Sequence, residues 1–234
     1  MNAGAFVYPG SELELFERAV NWKNYWSSQV RPHLGARVLE VGAGIGANTP
    51  YLNRAASEWV SLEPDREMAA TLAAKREARQ LPATQVITGT IVDLPPTPSF
   101  DSIVYIDVLE HVEDDAGEVR EAAKRLSSGG TLVVLAPAHN WLYSPFDKSI
   151  GHFRRYSAAD LRALMPPELQ LVRIRYLDSV GMLASTLNRV VLRQDMPNVS
   201  QIMLWDRTMV PLSRLIDPLF FFRLGKSILA VWRR

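Results

Sequence analysis

Short apolar runs rich in β-branched residues alternate along this chain with stretches whose apolar positions recur every three or four residues. The first kind reads as buried strands and the second as helices with one face on a core. Strands are predicted near 37–42, 58–63, 84–88, 101–107 and 130–136, and helices near 46–55, 65–79 and 115–127. Such alternation implies βαβ units, a parallel sheet and right-handed crossovers. Ahead of the first strand, Glu12 to Val30 reads as one helix, with Ser11 as N-cap and Glu14 completing a capping box. It carries Phe16, Trp22, Tyr25 and Trp26, and Pro32 ends it. Further on, Ser157 and Asp160 open another helix, Leu169 to Tyr176 reads as a sixth strand and Ser227 to Trp232 as a seventh. The long connection between those two strands holds helical stretches around 180–193 and 199–216, followed by Pro218 to Phe222.

Composition narrows the picture. A length of 234 residues suits one α/β domain with an insertion, and no repeat or linker is visible. The organisation expected is a cap helix over 1–36, a ligand-binding half over 37–136, and a second half over 137–234 with a helical insertion at about 180–222. With no cysteine, disulfides, thiolate chemistry and Cys-based zinc sites are excluded, and no metal site is expected. The 26 basic and 25 acidic residues leave a net charge of +1, so no global electrostatic grip on nucleic acid is expected. Met1 to Glu14 has neither a basic n-region nor a long apolar core. No run approaches the roughly 18 apolar residues of a membrane span. A cytoplasmic protein, monomeric or homodimeric, is expected.

The chemistry concentrates at the ends of the predicted strands. Val38-Leu39-Glu40-Val41 runs into Gly42-Ala43-Gly44-Ile45-Gly46, where glycine lets the backbone approach a ligand closely. These glycines by themselves also fit a dinucleotide-binding loop through Gly42, Gly44 and Ala47. The second strand ends in Glu63-Pro64-Asp65, with Glu63 lying 19 residues beyond Gly44. That is the spacing at which a carboxylate meets ribose hydroxyls. Asp65 suits the N-cap of the following helix, and Glu63 comes too early for that role.

With Phe100-Asp101-Ser102-Ile103-Val104-Tyr105-Ile106-Asp107-Val108-Leu109-Glu110-His111-Val112, these motifs make the chain resemble the class I S-adenosylmethionine-dependent methyltransferases. The resemblance covers roughly the first 135 residues. Gly151-His152-Phe153-Arg154-Arg155-Tyr156 resembles a bacterial subgroup associated with glycan and lipid pathways. The fold implied is a Rossmann-like seven-stranded, mostly parallel sheet with helices on both faces and the last strand antiparallel between the fifth and sixth. The cofactor implied is S-adenosyl-L-methionine, leaving as S-adenosyl-L-homocysteine. In the family, the acid matching Glu40 lies beneath the methionine portion. Gly42, Ala43 and Gly44 pass against the amino-acid portion and ribose, while Gly46 allows tight packing of the next helix. Gly89-Thr90-Ile91-Val92-Asp93-Leu94-Pro95 matches the adenine-end pattern except that Thr90 replaces the usual acid. Thr90, the Ile91 backbone or Asp93 remains for adenine, and Asp93 equally suits a turn. Asp107 and Val108 fall where family members meet the methionine portion.

Methyl transfer from a sulfonium needs alignment above all, and an oxygen acceptor also needs a base. Of the four histidines, His33 precedes the sheet and His111 is expected to be a packed residue. His139 and His152 are the candidate bases, both in the long segment from Pro137 to Tyr156. Arg154 and Arg155 are candidates for an anionic acceptor group. Tyr25, Trp141 and Tyr156, with Trp22, Trp26 and Tyr143, are candidates for the acceptor wall. The expected activity is methyl transfer to a small or glycan- or lipid-linked acceptor, at oxygen first, with nitrogen or carbon as alternatives. A nicotinamide oxidoreductase and a non-catalytic cofactor-binding protein are the rival classes. The apolar 199–222 stretch with Arg207, Arg214 and Arg223 leaves core, cap, dimer face and peripheral membrane contact open.

Overall fold

The computed structural model describes residues 7–10, 13–97, 99–187 and 198–234. Seven strands form one sheet: β1 (Arg37–Val41), β2 (Glu58–Glu63), β3 (Gln85–Thr88), β4 (Phe100–Ile106), β5 (Leu126–Pro137), β6 (Gln170–Leu177) and β7 (Ser227–Arg233). Their order is β3-β2-β1-β4-β5-β7-β6. The pairs from β3 to β5 are parallel. β7 lies antiparallel between β5 and β6, as the resemblance implies.

Alternate strand residues build two cores, because successive side chains leave opposite faces of a strand. Leu39, Leu62, Ile103, Leu132 and Ala230 face one side with α5 (Asp115–Arg125) and α7 (Ala158–Leu164). Val38, Trp59, Val104, Val133 and Leu229 face the other, beneath Trp22, Tyr25 and Trp26 of α2 (Val20–Val30). Apolar cover on both faces explains why these strands read as continuous hydrophobic runs.

Two local expectations change. The single helix over 12–30 is instead α1 (Leu13–Glu17) and α2, with non-helical Ala19 between them. Ala19 has no capping side chain; Asp206 accepts the N–H groups of Asn21 at 3.2 Å and Trp22 at 2.8 Å instead. Those two amides are unpaired at any helix start, so a carboxylate from far along the chain completes α2. Ser11, the expected cap, lies outside the described residues. The helix expected at 46–55 shrinks to α3 (Thr49–Leu52), while α4 (Arg66–Glu77) begins where expected, on an Asp65 carboxylate that accepts from Glu67 and Met68 N–H.

The connection after β6 forms α8 (Ser179–Leu187), α9 (Val199–Leu204), a π-helical turn at Trp205–Met209 and α10 (Val210–Leu219). The rest of the helix expected at 180–193 lies outside the described residues. Buried Asp217 fastens this roof to the body: its carboxylate accepts from Tyr25 Oη at 2.7 Å, Asp178 N at 2.7 Å and Ser179 N at 3.0 Å. Asp178 in turn accepts from Trp205 Nε1, Ser213 Oγ and Gly181 N.

Asp217→Ala would strand three buried donors at once. The expected cost is about 3–5 kcal/mol, seen as a fall in Tm of roughly 10 °C by calorimetry.

Candidate active site

A cavity of about 1430 Å³ opens where β1, β4 and β5 end, walled by Gly42–Ile45, Asp107, Glu110, His111, His152, α1, α2 and the roof helices. Single drug-sized ligands fill roughly 300–1,000 Å³, so two ligands fit side by side.

The glycine loop forms one wall. Gly42 has φ +64°, and a Cβ there would sit 2.6 Å from a Val108 methyl, so glycine is required on two counts. Gly42 and Ala43 N–H groups both donate to the Leu62 carbonyl, tying the loop to the end of β2. Glu63 is buried; its Oε2 accepts from Gly44 N at 2.7 Å and its Oε1 from Asp65 N at 2.9 Å. Each carboxylate oxygen keeps a further lone pair. Burial pushes Glu63 above the usual carboxylate range, against those two amides. Glu40 lies beneath the loop, accepting from Thr49 Oγ1 at 2.7 Å and Trp59 Nε1 at 3.0 Å. Burial pushes it up to about 6.

At the expected adenine end, Asp93 is exposed and its Oδ2 accepts both the N–H and the hydroxyl of Thr90. These bonds are the turn role of Asp93, and they hold its carboxylate below the usual range. Thr90 is exposed, Ile91 fully buried and Pro64 half-buried; none of the three lines the cavity, and neither do Glu40, Gly46, Glu63 or Val108, so that of the expected cofactor residues Gly42, Ala43, Gly44 and Asp107 form its wall.

Asp107 ends β4 at φ +55°, a strained position for a non-glycine residue, and opens on the cavity. Strain of this kind costs about 1–3 kcal/mol and collects at functional sites. Burial lifts its carboxyl to about 6, while His152, Lys226 and Lys23 pull it down.

The two candidate bases separate. His152 lines the cavity, and its Nδ1 lies 2.9 Å from Asp147 Oδ1. Asp147 is buried, accepts from Ser144, and is gripped from its other side by Arg155 Nε at 2.8 Å and Nη2 at 2.9 Å. These partners hold its carboxyl far below the usual range against burial. His139 does not line the cavity: its ring stacks on Tyr176 and its Nε2 lies 3.1 Å from the Gly225 carbonyl.

Several acceptor-side expectations find other partners. Tyr25 donates to Asp217, and Tyr156 Oη donates to Asp115 and lies 3.0 Å from the Leu109 carbonyl. Arg154 pairs with Asp115, and Trp141 is 49% exposed away from the cavity. Arg155 reaches the cavity with its guanidinium committed to Asp147. Trp22, Trp26 and Tyr143 do line it.

Other cavity residues went unrecognised in the sequence. Lys23 extends from α2 to donate to the Ala47 carbonyl at 2.9 Å, and burial lowers its ammonium to about 8. A lysine on the same stripe as Ala19, Trp22 and Trp26 was the available signal. Trp205, Lys226 and Phe146 reach the cavity from elements whose placement depends on the roof.

The methyltransferase-domain family model matches residues 39–134, from the glycine loop to β5. The chain is 29% identical over 154 residues to a probable S-adenosylmethionine-dependent methyltransferase of Mycobacterium tuberculosis, covering 61% of this chain and 54% of the relative. It is 27% identical over 107 residues to the ubiquinone biosynthesis O-methyltransferase of Bradyrhizobium diazoefficiens, covering 46% and 42%. The chain thus spans about half the length of the curated relatives it matches. Among solved structures, YcgJ of Bacillus subtilis aligns with a TM-score of 0.60 at 18% identity, over 91% of this chain and 98% of that one. Residues 39–134 thus match a methyltransferase domain, the chain is similar over about half their length to S-adenosylmethionine-dependent methyltransferases, and its fold is that of its structural neighbour.

Glu40 supplies a pH test. Its native pKa of about 6 exceeds the ordinary 4.5, so the folded state holds the proton more tightly and stability falls as pH rises from 4.5 through 6. Glu40→Gln should lose this component, about 2 kcal/mol, in urea unfolding compared at pH 4.5 and 7.5.

Proposed function

We propose that this protein transfers a methyl group from S-adenosyl-L-methionine to a hydroxyl of a small acceptor bound in the same cavity. The observation that carries the reading is one continuous space holding both the glycine loop and an oriented His152–Asp147 pair. The cofactor's ribose hydroxyls meet the free lone pairs of Glu63, and its amino-acid portion lies along Gly42–Gly44 with its carboxylate toward Lys23. Asp107 and Val108 border the methionine portion. Glu40 acts from beneath, keeping the loop in place through Thr49 and Trp59.

In-line attack at the methyl carbon requires the acceptor oxygen to lose its proton as the new bond forms. His152 takes that proton at Nε2, since Asp147 engages Nδ1 and so selects the productive tautomer. Arg155 fixes Asp147 in turn. This replaces direct anion binding by Arg155, whose fork is already occupied. Acceptor specificity belongs to Trp22, Trp26, Phe146 and Trp205, an aromatic wall suited to a flat or apolar acceptor. The name of the Bradyrhizobium relative, an O-methyltransferase, supports oxygen as the atom methylated.

Calorimetry with S-adenosylhomocysteine tests the cofactor half. Glu63→Ala should weaken binding by roughly one to two decades in Kd, the usual effect of losing a charged acceptor. An unchanged Kd would restrict Glu63 to holding Gly44 and Asp65.

For the chemistry, His152→Gln should reduce kcat by about 10²–10⁴ with cofactor affinity preserved, and the acidic limb of the pH–rate profile should vanish. His139→Gln should retain near-full turnover. The reverse pattern would move the base to the other side of β5.

A further inference from the structure

One group in the cavity is left without a partner. Glu110 is completely buried, and among the described residues neither of its carboxylate oxygens has a hydrogen-bond partner. A buried carboxylate in that state costs several kcal/mol unless it is protonated or meets a cation. Two imidazoles lie beside it, with the charges of Asp107, Asp147 and Arg155 further round: His152 Nε2 lies 3.8 Å from Glu110 Oε1, too far for a hydrogen bond, and the His111 and His152 rings sit 4.5 Å apart, edge to face. The donor atoms of Glu110, His111 and His152 all fall within 4.8 Å of one another.

We propose that Glu110, His111 and His152 form a binding site for one divalent first-row transition cation, facing the cavity beside Asp107. With bonds of about 2.0–2.2 Å, tetrahedral donors lie about 3.3–3.6 Å apart, so side-chain shifts of up to about 1 Å close the site. His152 is already anchored through its other ring nitrogen by Asp147, and the His111 ring is packed edge-on against Tyr8. Metal-binding histidines need such partners to fix ring orientation and tautomer. Two imidazoles and one carboxylate suit Zn²⁺, Fe²⁺ or Mn²⁺ better than Mg²⁺ or Ca²⁺.

Three protein ligands leave a coordination position open to the cavity. On the reading that the acceptor binds there, that position takes the acceptor oxygen, and a hydroxyl bound to the cation is a stronger acid. The Nε2 lone pair of His152 holds either a proton or the cation. In the cation-loaded enzyme the acceptor is acidified at the metal and its proton passes to the Asp107 carboxylate beside the site, whereas in the metal-free enzyme it passes to the imidazole. Cation binding itself does not depend on methyl transfer.

The test is calorimetric titration of ZnCl₂ and MnCl₂ into the full chain after chelator treatment, with visible absorption of Co²⁺ as a second readout. The wild type should bind one cation per chain. Glu110→Gln and His111→Gln should each weaken it by at least about 100-fold while still binding S-adenosylhomocysteine, and Asp147→Asn by about 10–100-fold. His33→Gln, remote from the site, should match the wild type. No saturable binding by the wild type, or wild-type affinity in folded Glu110→Gln or His111→Gln, would overturn the site; if one variant fails to fold, the other decides. A 1:1 cation complex without S-adenosylhomocysteine binding would leave the site standing and remove the methyltransferase reading. Cofactor binding without a cation would do the opposite.

Discussion

The roof over the strand ends depends on carboxylates buried where helices begin. Asp206 caps α2 from across the chain, Asp217 receives the first amides of α8 together with the Tyr25 hydroxyl, and Asp178 gathers Trp205, Ser213 and Gly181. A buried helix start must satisfy its free N–H groups, and an ionised oxygen does so more strongly than a neutral one. Replacing one such contact by another register would leave both the amides and the carboxylate unpaired. The roof therefore has one docked arrangement, and with it Trp205 and Met209 are brought over the cavity.

A fourth carboxylate organises the segment after β5 in the same way. Asp147 meets Ser144, His152 and Arg155 at once, so the segment between β5 and α7 is held by charge-assisted bonds despite having little regular structure. Tyr156 continues this framework by donating to Asp115 and pairing with the backbone of Pro137 and His139. The motif from Gly151 to Tyr156 thus divides its labour. His152 faces the cavity, and the residues after it secure the segment that presents it.

The site is uneven in its electrostatics. Near the glycine loop, backbone amides meet Glu63, and the Lys23 ammonium feels the charges of Glu17, Glu40 and Asp107. Deeper in, Glu110 is forced well above the ordinary carboxylate range by burial and by the neighbouring Asp107 and Asp147 charges.

The sheet was legible in the sequence because its signals are local. Apolar runs of strand length, the glycines after Glu40, the Asp65 cap and the spacing from Gly44 to Glu63 each depend on neighbouring residues. What the tertiary structure alone decided involves partners far apart in the chain. The break at Ala19 arises from Asp206, the occupation of Tyr25 from Asp217, and the placing of His152 at the cavity and of His139 away from it from which ring meets Asp147 and which stacks on Tyr176. A side chain's type fixes how many hydrogen bonds it must make, whereas the fold fixes with whom, and that choice separates a cavity residue from a structural one.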